Sequence, residues 1–214
     1  MIRHMLRDIR KQYERSALNE LEAEENPFDQ FQIWLDTALN SDEQEPTAMI
    51  LSTVDRQMQP HARVVLLKDF SPVGFVFYTN YEGNKAKEME DNNRIQLLFF
   101  WQSLERQVRV TGRVEKLSAT VSDDYFASRP VDSQLGAWAS EQSTVIPSAE
   151  YLDERFEFFQ KKFGESVSRP PHWGGYLVHP ITFEFWQGRP NRLHDRLYYS
   201  KNEAGEWNIE RLAP

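Results

Sequence analysis

The sequence predicts a mainly β fold, a β-barrel with helices packed around it, on three observations. Segments of strand character follow one another at hairpin spacing, one long segment alternates strictly between apolar and polar residues, and few helical stretches interrupt them. A doubly wound sheet would place a helix after nearly every strand, and the pattern lacks them.

The elements follow in order. Residues 2–18 place Ile2, Met5, Leu6, Ile9 and Tyr13 near a 3.6-residue period, which predicts a helix. The acidic run Glu20 to Glu25 reads as a solvated connector. Pro27 suits the first turn of a second helix, whose apolar stripe is Phe28, Phe31, Trp34, Leu35, Ala38 and Leu39. Strands are expected over 48–54, 62–68 and 74–79, with a turn at 55–60. A short helix over 83–92 precedes a buried strand over 95–101. Within 105–117, Val108, Val110, Gly112 and Val114 alternate with Gln107, Arg109, Thr111 and Arg113, so one face of that strand is apolar. Helices over 118–128 and 148–163 lead to strands near 174–179, 181–187, 193–200 and 206–211. No repeat or composition break divides the chain. The expectation is a helical N-terminal extension over 1–26 and a single domain over 27–214.

Composition narrows the function. The 214 residues are 40% hydrophobic and 13% aromatic, enough to build a core. No apolar run is long enough to span a bilayer, and the N-terminus lacks a signal-like segment. The absence of cysteine excludes disulfides and thiol nucleophiles and suits a reducing compartment, so a cytoplasmic location is expected. The five histidines lack metal-ligand spacing, and no metal is expected. A net charge of -8 repels nucleic acid, anionic membranes and phosphorylated metabolites alike. A phosphate ligand therefore requires a local group of Arg and Lys. No Gly-rich phosphate loop and no G-x-S-x-G elbow is present, so side chains would have to form it.

Four clusters could do so. Arg63 and Lys68 have opposite parity, so in one extended strand they point to opposite faces; strand-end charges are the ordinary reading. Tyr78, Thr79 and Asn80 with Lys85 place a polar strand end before a helix start, which could receive an anion or simply cap the helix. Tyr125 and Arg129 lie four apart, with Ser133 after Pro130, and make either a phosphate cradle or surface structure. Arg192, His194 and Arg196 share one face of a strand by period two. Three such groups in a row repel one another unless an anion is near, which favours a ligand site.

Read together, these clusters resemble the pyridoxine (pyridoxamine) 5'-phosphate oxidase family. The stretch Glu184-Phe185-Trp186-Gln187 followed by Arg192-Leu193-His194-Asp195-Arg196 is similar to that family's C-terminal signature. The likeness extends to Arg63–Lys68, Phe77–Asn80, Leu104–Val108, Ser128-Arg129-Pro130 with Asp132-Ser133-Gln134, and the closing Arg211–Pro214. It implies a homodimer of split β-barrels with FMN in clefts between subunits. On that likeness Arg63 and Lys85 hold the FMN phosphate. Val64, Val65, Leu66, Lys68, Tyr78, Thr79, Asn84, Gln107, Gln142, Ser143, Trp186 and Arg196 line the rest of the flavin site. Lys68, Tyr125, Arg129 and Ser133 hold the substrate phosphate, Arg192 and His194 act at the pyridine ring, and Arg10 and Tyr13 form an N-terminal lid pair.

The implied reaction is oxidation of pyridoxine or pyridoxamine 5'-phosphate to pyridoxal 5'-phosphate. A hydride passes from C4' to flavin N5, and O2 reoxidises the flavin to give hydrogen peroxide. Asn84 departs from the basic or small hydroxyl residue of many relatives, removing a contact worth about 1.5–3 kcal/mol where it is made. The segment Glu14–Glu25 is also more acidic than the likeness leads one to expect. The competing readings are a flavin reductase and a non-catalytic carrier of FMN or pyridoxal 5'-phosphate. A reductase has no use for the Tyr125, Arg129 and Ser133 set, and a carrier could lose Arg192 or His194.

Overall fold

The structure, a computed structural model, describes residue 13 and residues 16–214. Most of the helix expected over 2–18, with Arg10, lies outside these. Residues 16–18, which are described, are not helical. Contacts group the described residues into two compact units, one of those up to residue 47 with 98–110 and 181–214, the other of residues 48–97 and 111–180.

Helix α1 (Pro27–Leu39) opens as its sequence dictates. The Asn26 side chain accepts from the Phe28 N–H, and Pro27 occupies the first turn. Phe28, Phe31, Trp34, Leu35 and Ala38 are buried, whereas Leu39 is exposed and falls off the expected stripe. The buried face meets the first unit's strands edge-on: Phe31 against Phe99 at 5.0 Å, Trp34 against Phe185 at 5.2 Å and Phe28 against Phe183 at 5.2 Å. Burying each such ring contributes roughly 1.5–3 kcal/mol.

Strands β1 (Ala48–Val54), β2 (Pro60–Leu66), β3 (Asp69–Ser71) and β4 (Gly74–Asn80) follow, then α2 (Asn84–Asp91), β5 (Arg94–Trp101) and β6 (Arg106–Lys116). Residues Val108, Val110, Gly112 and Val114 are buried on β6, as the alternation required. Helices α3 (Ala119–Ser128), α4 (Val131–Ala139) and α5 (Ala149–Phe163) precede β7 (Trp173–Gln187), β8 (Asp195–Lys201) and β9 (Trp207–Arg211). The strand order is β2-β1-β5-β6-β7-β4-β3, with β8 on β7 and β9 on β8. The fold is mainly β with helices, as expected.

Three departures have local causes. The two strands expected at 174–179 and 181–187 are one. Its first half pairs with β4 (Val178 with Phe75) and its second with β8 (Thr182 with Ser200). Pro180, which has no N–H, falls between those ladders, where its missing donor costs neither of them a bond. Strand β2 ends at Leu66, so Lys68 lies beyond it and the opposite-parity argument does not apply. Finally, Pro190–Arg192 forms a 3-10 turn and β8 begins at Asp195, so Arg192 and His194 are not strand residues sharing a face with Arg196.

Candidate active site

The second unit contains a cavity of about 660 Å³ lined by residues from six elements and the turns between them. Arg63, Val64, Val65 and Leu66 come from β2, Lys68 from just beyond it, Tyr78 and Thr79 from β4, and Lys85 from α2. Tyr125 comes from the last turn of α3, Arg129 and Pro130 from the corner after it, and Ser133 from the first turn of α4. Gln142 and Trp173 complete the wall. Three of the four clusters seen in the sequence thus converge. Arg63 and Lys68 line one cavity because the strand ends between them.

The cationic wall is tightly held. The Arg63 guanidinium donates to Glu88 Oε2 at 2.9 Å, to Leu51 O at 3.3 Å and to the Thr53 hydroxyl. Lys85 Nζ donates to Gln142 Oε1 at 2.5 Å and to Thr79 Oγ1 at 3.3 Å. Burial, and then the charge of Arg63, lower the Lys85 pKa, and the nearby Glu88 carboxylate offsets this only in part. Asn84 begins α2, and its backbone N–H donates to Ser143 Oγ at 3.2 Å; neither residue lines the cavity.

The second wall is aromatic. Tyr78 stacks on Tyr125 at 3.8 Å, and Trp173 lies nearly parallel to both, 12° and 4° from their planes. Gly175 permits this, because a Cβ there would sit 2.7 Å from the Tyr78 ring. Burial raises the pKa of both tyrosines, so they remain neutral donors. The Arg129 guanidinium lies 4.6 Å from the Trp173 ring centre, and its buried Nη1 has no partner among the described residues. A buried guanidinium donor without a partner beside a cavity is suited to an oxyanion.

The fourth cluster lies in the first unit. Tyr13 meets Trp186 edge-on at 5.7 Å and His194 at 5.5 Å, and Trp186 lies 4.7 Å from His194. Gly188 makes room, since a Cβ there would sit 2.8 Å from the Tyr13 ring. His194 Nδ1 accepts from the Arg189 N–H at 3.1 Å, so the neutral ring carries its proton on Nε2. Burial, and then the charge of Arg192, lower its pKa and keep it neutral. Asn191 and Arg192 both have positive φ, 59° and 63°, a strain that concentrates at functional turns. The exposed Arg192 side chain makes no ion pair among the described residues.

Repulsion within this cluster does not by itself require a ligand, because the protein supplies anions of its own. Arg196 donates to Glu184 Oε1 at 2.9 Å, and Arg109 pairs with Glu184 Oε2 at 2.7 Å. Asp195 takes Arg211 at 2.7 Å, Arg189 at 3.1 Å and the Leu18 N–H at 3.0 Å. Burial pushes the Asp195 carboxyl up, but these donors together hold it below its ordinary value. Gln107 sits half-buried on the polar side of β6.

Sequence reasoning missed Trp173, Thr53 and Glu88. A Trp after Pro170-Pro171 at a strand start was a usable signal for the first. Thr53 and Glu88 gave none, because an alternating strand and a charged helix look ordinary until folded together.

This mainly antiparallel β chain gathers Arg, Lys and Tyr beside an aromatic wall, residue types that suit a phosphorylated, planar ligand. Residues 35–160 match the family model described as pyridoxamine 5'-phosphate oxidase, and residues 173–214 match the pyridoxine 5'-phosphate oxidase C-terminal dimerisation region. The chain is 55% identical over 207 residues to the pyridoxine/pyridoxamine 5'-phosphate oxidase of Bordetella petrii, covering 97% of this chain and 98% of that one. It is 51% identical over 211 residues to that of Burkholderia thailandensis, covering 98% and 99%. PhzG from Burkholderia lata, solved with tetrahydrophenazine-1-carboxylic acid, superposes with a TM-score of 0.87 at 25% identity, covering 93% and 98%. A related FMN-binding protein from Nostoc punctiforme shares the fold, with a TM-score of 0.70 at 15% identity over 88% and 98%. The chain belongs to the pyridoxamine 5'-phosphate oxidase family and has its split-barrel fold.

Proposed function

We propose that this chain oxidises pyridoxine 5'-phosphate and pyridoxamine 5'-phosphate to pyridoxal 5'-phosphate, with FMN as cofactor and O2 as final acceptor. The observation that carries the reading is the single cavity in which Arg63 and Lys85 accompany Lys68, Tyr125, Arg129 and Ser133. Two sets of phosphate-holding side chains suit a cofactor and a substrate that each bear a phosphate. The residues fit such ligands: Arg129 Nη1 is buried and unpartnered among the described residues, and Lys85 is a desolvated cation. The relatives' names support the substrate class.

FMN, when bound, supplies the two-electron acceptor for the hydride leaving C4'. The protein's part is binding, orientation and charge. Lys85 and Arg63 hold the cofactor phosphate, and Gln142 and Thr79 fix the Lys85 ammonium. Lys68, Arg129, Tyr125 and Ser133 hold the substrate phosphate. Tyr78 backs Tyr125, and Trp173 fixes the plane of Arg129. Arg192 stabilises negative charge developing on the substrate oxygen, and His194 donates from Nε2 to the C4' substituent. Tyr13 covers the His194 and Trp186 rings. The chain works as a homodimer with its active sites at the subunit interface, a reading supported by the matched dimerisation region.

The test compares pyridoxine 5'-phosphate with pyridoxine in air, measuring aldehyde product and hydrogen peroxide. Equal amounts of both products from the phosphorylated substrate alone support the reading. Binding without turnover would favour a carrier, and equal turnover of both substrates would remove the phosphate cradle from the account.

A further inference from the structure

Behind the cavity wall, a carboxylate sits where an anion site would ordinarily exclude it. Glu88 is a buried carboxylate, 8% exposed, bonded to the arginine assigned to an anion. A negative charge there opposes phosphate binding, so its presence requires a reason. The hydrogen bonds of Arg63 supply one. A guanidinium has five N–H donors. Nη1 donates to the Thr53 hydroxyl and to Leu51 O, and Nη2 donates once to Glu88 Oε2. Thr53, 1% exposed, donates its own proton to Glu88, closing a three-membered relay behind the cavity. The end-on edge of the guanidinium is thereby filled. Among the described residues the Nε–H and the second Nη2–H remain, and they lie side by side on one edge. That edge matches two oxygens of a phosphate.

We infer that Glu88 and Thr53 are positioning residues that lock Arg63 so that its Nε/Nη2 edge forms a bidentate fork for the cofactor phosphate. Neither lines the cavity, so both act through Arg63. The carboxylate also offsets the mutual repulsion of Arg63 and Lys85 before the phosphate arrives. The gain is preorganisation, since a free arginine side chain would lose rotamer freedom on binding. The inference rests on the flavin-phosphate reading above.

The experiment uses the full chain stripped of flavin and measures the Kd of FMN and of riboflavin, which lacks the phosphate, by quenching of flavin fluorescence. Three variants are compared: Thr53→Val, Thr53→Ser and Glu88→Gln. Thr53→Val and Glu88→Gln are expected to weaken FMN binding roughly tenfold or more, leaving riboflavin unchanged. Thr53→Ser, which keeps the hydroxyl, stays near the parent. Thr53→Val preserves shape and charge, so it decides the matter even if Glu88→Gln does not fold. Unchanged or tighter FMN binding would overturn the inference, because Glu88 would then act only as a repulsive charge. Equal weakening of both flavins would also overturn it, since that marks a merely structural role. If the parent protein shows no preference for FMN over riboflavin, it is the cofactor-phosphate reading itself that fails.

Discussion

Replacing Arg129 with Ala separates substrate binding from everything else the cavity does. Its guanidinium lies on Trp173 and has a buried Nη1 with no partner among the described residues, so the folded protein gains little from that nitrogen. Its backbone bonds, the N–H to Phe126 O and the carbonyl accepting from Gln134, survive the change. The stability cost is therefore mainly the contact of the guanidinium with the Trp173 and Phe126 rings, about 0.5–2 kcal/mol. With substrate the balance differs. One charge-assisted bond to a phosphate is worth about 1.5–3 kcal/mol, so kcat/KM should fall roughly tenfold to a hundredfold. The loss should appear mainly in KM, because the phosphate is remote from C4'. The assay is steady-state oxidation of pyridoxine 5'-phosphate by enzyme saturated with FMN, with flavin content checked by absorbance. An unchanged KM would refute the assignment. Loss of bound FMN would refute it equally, by placing Arg129 at the wrong phosphate.

Other residues give independent tests. Arg192→Ala should cut kcat strongly while FMN stays bound; loss of flavin on that change would contradict its role at the substrate. Gly188→Ala places a methyl 2.8 Å from the Tyr13 ring, so kcat/KM should fall with FMN affinity intact, and unaltered kinetics would dismiss Tyr13 as a cover. Because burial depresses the Lys85 pKa, FMN affinity should weaken as pH rises through a value below the ordinary lysine range. Titration of affinity against pH in the parent and in Lys85→Arg checks this, and identical profiles would exclude Lys85 as the titrating group. His194 is neutral in the fold with a lowered pKa. Its contribution to stability is therefore present above the unfolded histidine pKa and lost as pH falls through the folded one. NMR of the ring protons reads that midpoint directly.

Periodicity carried much of the fold. The stripe of α1 and the alternation of β6 were legible because each buries one face, and burial imposes a period. Helix α4 was not: Pro130 looked like a break and is in fact the residue before its first turn. Arg192 was likewise placed on a strand face with His194 and Arg196, because left-handed Asn191 and Arg192 leave no mark on a period-two pattern. Of the site, the cationic and hydroxyl residues could be named from their types and the family likeness. Their convergence could not, since Lys68 joins Arg63 only because β2 stops at Leu66. Thr53 and Glu88 act behind the wall, and only folding brings them to Arg63.

The central claim is that this cavity carries FMN and passes electrons to it from a phosphorylated B6 compound. The most direct test is an absorbance spectrum of the FMN-loaded protein without oxygen, before and after adding pyridoxine 5'-phosphate. The account predicts that the flavin bands bleach on addition and return when air is admitted. Bands that stay unchanged in the presence of bound substrate would contradict it.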